Sequence, residues 1–134
     1  MDCIFCEIIK KNIKAKIIAE NKHAIAFLDV NPITNGHTLV VPKKHFGNFS
    51  TCDTKILMAV SSLAKEVANK IKNSSLKPIG FNYLSNEGKI AGQEVMHFHL
   101  HVIPKYSKGN GFILNYGKTK TKNTEEIYKI LTKK

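Results

Sequence analysis

The sequence predicts an α+β domain built on an antiparallel sheet, and three observations carry that prediction. Short runs rich in Ile, Val and Phe recur between turn-forming residues, most of them joined by hairpin-length connections. One segment, 53–72, repeats apolar residues every three or four positions, as a long amphipathic helix does. Residues 97–103, His-Phe-His-Leu-His-Val-Ile, alternate histidine with apolar residues at the two-residue period of a strand.

Each element follows from a local pattern. Residues 3–12 hold Ile4, Phe5, Ile8 and Ile9 at near-helical spacing and predict a short amphipathic helix. Residues 16–20 and 23–29 read as two strands split by the polar turn Glu20-Asn21-Lys22. Residues 30–36 form a loop punctuated by Pro32 and Asn35-Gly36, and 37–42 is an apolar strand closed by proline. In the long helix, Ile56, Leu57, Val60, Leu63, Ala64, Val67, Ala68 and Ile71 make one stripe. Asp53 stands at the N-cap, and Lys70 and Lys72 suit the negative end of the dipole. Residues 80–85 predict a strand and 86–92 a glycine-bearing loop before the histidine strand, which runs to Pro104. Beyond Lys105, Gly, Asn and Lys dominate, with one late helix over 124–132. The long helix packs on one sheet face, leaving the other face for a site or a partner.

Composition narrows the function classes. A chain of 134 residues, 43% hydrophobic and 23% charged, is sized and balanced for one globular domain. No apolar run reaches membrane-spanning length and the first residues show no signal-peptide pattern, so a cytoplasmic protein with reduced cysteines and no membrane role is expected. The net charge of +11 comes from 21 lysines and no arginine, spread along the chain. A sequence-reading nucleic-acid protein usually needs arginine forks for bidentate contacts, so no specific nucleic-acid partner is expected. The charge still helps draw in an anionic small substrate.

The histidine segment carries the chemistry. Three of the chain's six histidines fall in it. His97, His99 and His101 share one strand face, with neighbours about 6.6 Å apart, while Phe98, Leu100 and Val102 take the other. Imidazole is largely neutral and nucleophilic at pH 7, and neighbouring rings can donate hydrogen bonds to phosphoryl oxygens. The same rings could instead ligate zinc, and the strand alone leaves both readings open.

Four further pieces precede this motif: Cys3-Ile4-Phe5-Cys6, Phe27-Leu28-Asp29, the run from Gly36-His37 to Pro42-Lys43-Lys44-His45, and Asn86-Glu87-Gly88 leading to Gly92-Gln93-Glu94. In this order and spacing, over about residues 3–106, the chain resembles the histidine triad (HIT) family, most closely its Hint-like branch and the zinc-binding type found in bacteria. The resemblance implies a five-stranded antiparallel sheet with one main helix and short flanking helices, residues 1–106 forming the HIT domain and 107–134 a C-terminal extension of it, paired as a homodimer. The implied activity is hydrolysis or transfer of a nucleoside monophosphate from a purine nucleoside phosphoramidate or related nucleotide. His99 matches the nucleophile that forms a covalent nucleotidyl-imidazole, with His101 and His37 as the flanking imidazoles. Asn86 and Gln93 match phosphate contacts, Asp29 the carboxylate on the ribose hydroxyls, and Phe5, Ile8 and Val30 apolar walls around the base.

Cys3 and Cys6 have the gap that lets two thiolates reach one metal. By the resemblance, His45 and His97 complete a structural zinc set, with no organic cofactor. Two positions depart from the family pattern: Glu94 stands where many relatives carry a hydroxyl, and Lys14 where proline is frequent. The tail after Tyr106 does not match either. Simpler roles exist for several residues, with Asp29 capping the loop before Pro32, Asn86 serving a turn, and Phe5 and Ile8 serving the core. Two other functional readings stand beside the first: a zinc-dependent hydrolase with His97, His99 and His101 as ligands, and a nucleotide-binding interaction module.

Overall fold

The computed structural model describes residues 3–133. Along the chain run α1 (Ile4–Ile9), β1 (Ile17–Glu20), β2 (Ala24–Leu28), β3 (Thr38–Pro42), α2 (Thr54–Lys72), β4 (Gly80–Leu84), a 3₁₀ turn (Lys89–Ala91), β5 (Leu100–Lys105) and α3 (Thr124–Thr132). The five strands form one antiparallel sheet in the order β1-β2-β3-β5-β4. This is the predicted α+β architecture with its five-stranded sheet and main helix.

The sheet is covered on both faces at its centre. The stripe of α2, with Val60, Leu63, Ala64, Val67, Ala68 and Ile71, packs on Ala24, Ala26, Val40, Phe98 and Val102. Burying a side chain such as Val60 or Leu63 contributes about 1.5–3 kcal/mol. On the opposite face, Cys3, Phe5 and Ile8 pack on Ile25, Phe27, Leu39 and Val41. The sheet face expected to be free is therefore half-covered by the N-terminal helix, and the histidine rings emerge beside it. Burial on both sides also explains why β3 reads as an almost continuous apolar run instead of an alternation.

Three local details differ from expectation. Asp53 occupies the N-cap of α2 but its side chain makes no capping hydrogen bond. The 86–92 loop contains the 3₁₀ turn, bounded by Gly88 and Gly92 at φ of 91° and 102°, a region only glycine enters without strain. The histidine strand begins at Leu100, so His97 and His99 lie ahead of the ladder. Their stretch is held by other means: the Phe98 N–H donates to the Phe46 carbonyl at 2.6 Å, and the Ser85 hydroxyl donates to the His99 carbonyl at 2.8 Å. The alternation survives, with Phe98 in the α2 core and His97 and His99 against Phe5 on the other side.

Past β5 the chain has no regular structure until α3, where Asn123 caps the helix by accepting from the Glu125 and Glu126 N–H groups. No residue of α3 is buried. Among the described residues, no helix is long and apolar enough to cross a membrane.

Candidate active site

The strand register brings the catalytic candidates together. His101 on β5 lies opposite Leu39 on β3, and His37 stands two residues before Leu39, on the same face. The two rings are diagonal neighbours, and His37 Nε2 meets His101 Nδ1 at 3.0 Å. His99 packs edge-on against His101, with ring centroids 5.0 Å apart. Phe5 supports this group from below, 5.1 Å from His99 and 5.8 Å from His97, both edge-on.

Hydrogen-bond partners assign the tautomers. His99 Nδ1–H donates to the His97 carbonyl at 2.8 Å, so His99 Nε2 carries the lone pair. The Ile33 N–H donates to His37 Nδ1 at 3.1 Å, which puts the His37 proton on Nε2. That proton is donated to His101 Nδ1, leaving His101 with its own N–H at Nε2. The Nε2 atoms of His99 and His101 have no protein partner, yet no buried side-chain nitrogen or oxygen among the described residues is unsatisfied. Both atoms are therefore open to the cavity that these rings line. One offers a lone pair and the other a proton.

Burial keeps the rings neutral. It pushes His101 and His97 down to about 4, and neighbouring imidazoles push both further the same way. His99 and His37 are also lowered by burial, with Asp29 opposing the shift in each. The Asp29 Oδ2 lies 3.5 Å from His37 Nε2, and its Oδ1 accepts the Asn31 N–H at 2.9 Å. Asp29 thus caps the loop before Pro32 and still faces the site.

The cavity itself, about 280 Å³, is lined by His99, His101, Asp29, Phe5, Ile8 and Val30 from the predicted set. It also takes Ile4, Ile13, Phe27, Leu28, Leu39 and Val95 as apolar walls, and Lys14, Asn31 and Glu94 as polar ones. Ile4, Phe27, Leu28 and Leu39 belong to elements legible in the sequence, Ile13 and Val95 lie in loops, and only the fold shows that all of them face a cavity. Asn86 and Gln93 do not line it. Gln93 is 4% exposed and its amide is fully engaged, accepting from the Gly88 N–H and donating to the Gly47 and Val95 carbonyls. Asn86 donates a long 3.4 Å bond to the Gly92 carbonyl. Both residues hydrogen-bond within the 86–95 loop, and Gln93 also to Gly47.

A second cluster lies beside the first. The Sγ atoms of Cys3 and Cys6 and the ring nitrogens of His45 and His97 all fall within 4.8 Å of one another. His97 Nδ1 is 3.3 Å from Cys3 Sγ and 3.5 Å from Cys6 Sγ, and His45 Nδ1 is 3.3 Å from Cys6 Sγ. A tetrahedral zinc with bonds of about 2.0–2.3 Å has ligand–ligand edges of about 3.3–3.8 Å, so these spacings fit. The orientation fits too: His97 Nε2–H donates to the Pro42 carbonyl at 2.9 Å, turning the Nδ1 lone pair toward the thiols. Burial, and then Cys3, raise the Cys6 thiol pKa, a tendency that a bound cation reverses.

Asp29, His37 and His101 also satisfy the distance criterion for a metal set. Their chemistry does not, because the Ile33 N–H holds a proton on the His37 nitrogen that would have to ligate. Among the described residues, His97, His99 and His101 form no metal set together. The zinc-hydrolase reading built on those three rings fails on this geometry, since His97 turns to the cysteines and His99 to the open cavity.

Comparisons with known proteins identify the family. The HIT domain model matches residues 10–108. An uncharacterised HIT-like protein of Mycoplasma genitalium is 55% identical over 130 residues, covering 97% of this chain and 92% of its own. The adenosine 5′-monophosphoramidase of Saccharomyces cerevisiae is 39% identical over 114 residues, covering 85% of this chain and 69% of its own. Among solved structures, a HIT family member from Bacillus subtilis superposes with a TM-score of 0.89 at 36% identity, covering 99% of this chain and 96% of that one. A zinc-bound histidine triad family protein from Mycobacterium smegmatis gives 0.77 at 34% identity, covering 81% and 78%. On the family match, these identities and the shared fold, the chain belongs to the HIT domain family.

Proposed function

We propose that the protein hydrolyses purine nucleoside 5′-phosphoramidates, or closely related small nucleotides, through a covalent nucleotidyl intermediate on His99. The observation that carries this reading is the orientation of two nitrogens: the His99 Nε2 lone pair and the His101 Nε2 proton open into one cavity. That pairing suits attack on a phosphorus whose leaving group is an amine. The phosphoramidase named among the relatives supports the same chemistry.

In this mechanism the α-phosphorus meets His99 Nε2, the ribose hydroxyls meet Asp29, and the base lies among Phe5, Ile8 and Val30. The Nε2–P bond forms as the P–N bond breaks. His101 Nε2–H hydrogen-bonds the departing nitrogen, which takes its proton from solvent, so the amine leaves neutral and His101 keeps its own proton. Water then adds to phosphorus, frees His99 Nε2 and releases its proton to solvent. His37 holds His101 in the tautomer this needs. His99 keeps its Nδ1–H on the His97 carbonyl throughout, which stabilises the phosphorylated ring. Asn86 and Gln93 serve the phosphate region from the loop they brace.

Cys3, Cys6, His45 and His97 would hold a structural zinc, which supplies a fixed tether between the N-terminal segment and the lead-in to the nucleophile. No reacting step passes through it. A zinc-bound family member supports this assignment. The same reading keeps 107–134 as an extension of the one domain and a homodimer as the working assembly.

The test is mass spectrometry of the protein mixed briefly with an adenosine 5′-phosphoramidate. A transient adduct of one nucleoside monophosphate is expected in the wild type and absent in His99→Ala, with turnover lower by several orders of magnitude. Near wild-type turnover in that variant sinks the mechanism.

A further inference from the structure

Glu94 has no place in the mechanism above, yet it lines the same cavity as His99 and His101. It is exposed, and among the described residues it has no hydrogen bond or ion pair. Its backbone position is firmly set. The Gln93 amide, buried beside it, donates to the carbonyl of Val95 on its other side, so the carboxylate is presented from a braced turn. The other charges at this cavity are Asp29 and Lys14.

A carboxylate here adds a second negative charge near a site that must take a phosphoryl anion. Placed beside the ribose it would only weaken binding. Sharing one cavity with His99 and His101, it acts on whatever is bonded to phosphorus, because His101, which faces the departing nitrogen in the mechanism above, lines the same cavity. Resting on the phosphoramidase reading, we infer that Glu94 is a specificity-determining residue that selects leaving groups by charge, admitting neutral and cationic amines and repelling anionic ones. Substrates that expel phosphate or a second nucleotide are disfavoured by the same charge, since their leaving groups are anions.

The experiment uses adenosine 5′-phosphoramidates of ethylenediamine, ethanolamine and β-alanine, which keep the reacting P–N bond and vary only the distal charge. Wild-type kcat/KM falls in the order cationic, neutral, anionic. Glu94→Gln compresses the cationic-to-anionic ratio by about tenfold, and Glu94→Lys inverts the order. Raising the ionic strength compresses the wild-type ratio and leaves that of Glu94→Gln nearly flat. A ratio within twofold of wild type in both variants overturns the inference while leaving phosphoramidase activity standing. If the wild type turns over none of the three, the functional reading fails. Calorimetric binding of the corresponding non-reactive adenosine 5′-sulfamides then tests the charge preference alone, and equal affinities across the series in wild type and Glu94→Gln also overturn it.

Discussion

Acid should destabilise this fold through the buried imidazoles of its candidate site, and His101 gives the size of the effect. The free side chain titrates near 6.5, whereas burial and the neighbouring His99 and His37 push it down to about 4 in the folded protein. Below pH 6.5 the unfolded chain takes a proton at His101 that the folded chain refuses. Stability therefore falls as pH drops through this window and the slope vanishes below pH 4. Integrating between pH 7 and 5 gives about 2 kcal/mol. This is an upper limit, because the ring faces an open cavity and solvent screens part of the cost. His101→Gln removes the titration while its side-chain carbonyl can still accept the His37 Nε2–H. Urea unfolding of both proteins at pH 7 and pH 5 isolates this contribution, since titration elsewhere in the fold is common to both and cancels. The wild type should lose up to about 2 kcal/mol more than the variant on acidification. Profiles parallel to within about 0.5 kcal/mol would refute the claim that the folded site holds this imidazole neutral.

The sheet, the main helix and the triad were legible because their patterns are local. The α2 stripe has a period that only a helix satisfies, and His97, His99 and His101 kept to one side even where the ladder had not begun. Half of the Cys3–Cys6–His45–His97 cluster was legible through the Cys3–Cys6 gap, but adding His45 and His97 required the family resemblance. Tautomers were not legible at all. They depend on the Ile33 N–H, the Pro42 carbonyl and the His97 carbonyl, backbone groups whose partners are fixed only by the fold. The same limit explains Asn86 and Gln93. A side-chain amide next to a glycine-rich loop fits a phosphate contact and a loop brace equally well in sequence, and the bonds of Gln93 to Gly47, Gly88 and Val95 appear only in the fold. Glu94 and Lys14 stood out as departures, but their shared cavity became visible only once strand and loop were placed together.

Two further perturbations probe the supports of the site. Cys6→Ser should abolish zinc found by metal analysis in the wild type and lower Tm by about 10 °C or more, with kcat changing far less; full zinc content in the variant would remove Cys6 from the ligand set. Gly36→Ala probes how His37 is delivered to His101. Gly36 sits at φ +90°, where an alanine costs about 1–2 kcal/mol, and the added Cβ would stand 3.3 Å from Pro104 Cγ and 3.5 Å from Leu76 Cδ1. Pro104 is on β5, three residues beyond His101, so neither side of the contact can yield without moving a histidine-bearing segment. Relief is therefore expected through displacement of 36–38, which lengthens the 3.0 Å His37–His101 bond and frees the His101 tautomer. Both Tm and kcat should fall, whereas Gly109→Ala, with open space around its Cβ, should leave both within experimental error. A Gly36→Ala protein that loses stability but keeps full kcat would show that the position of His37 does not control the proton on His101.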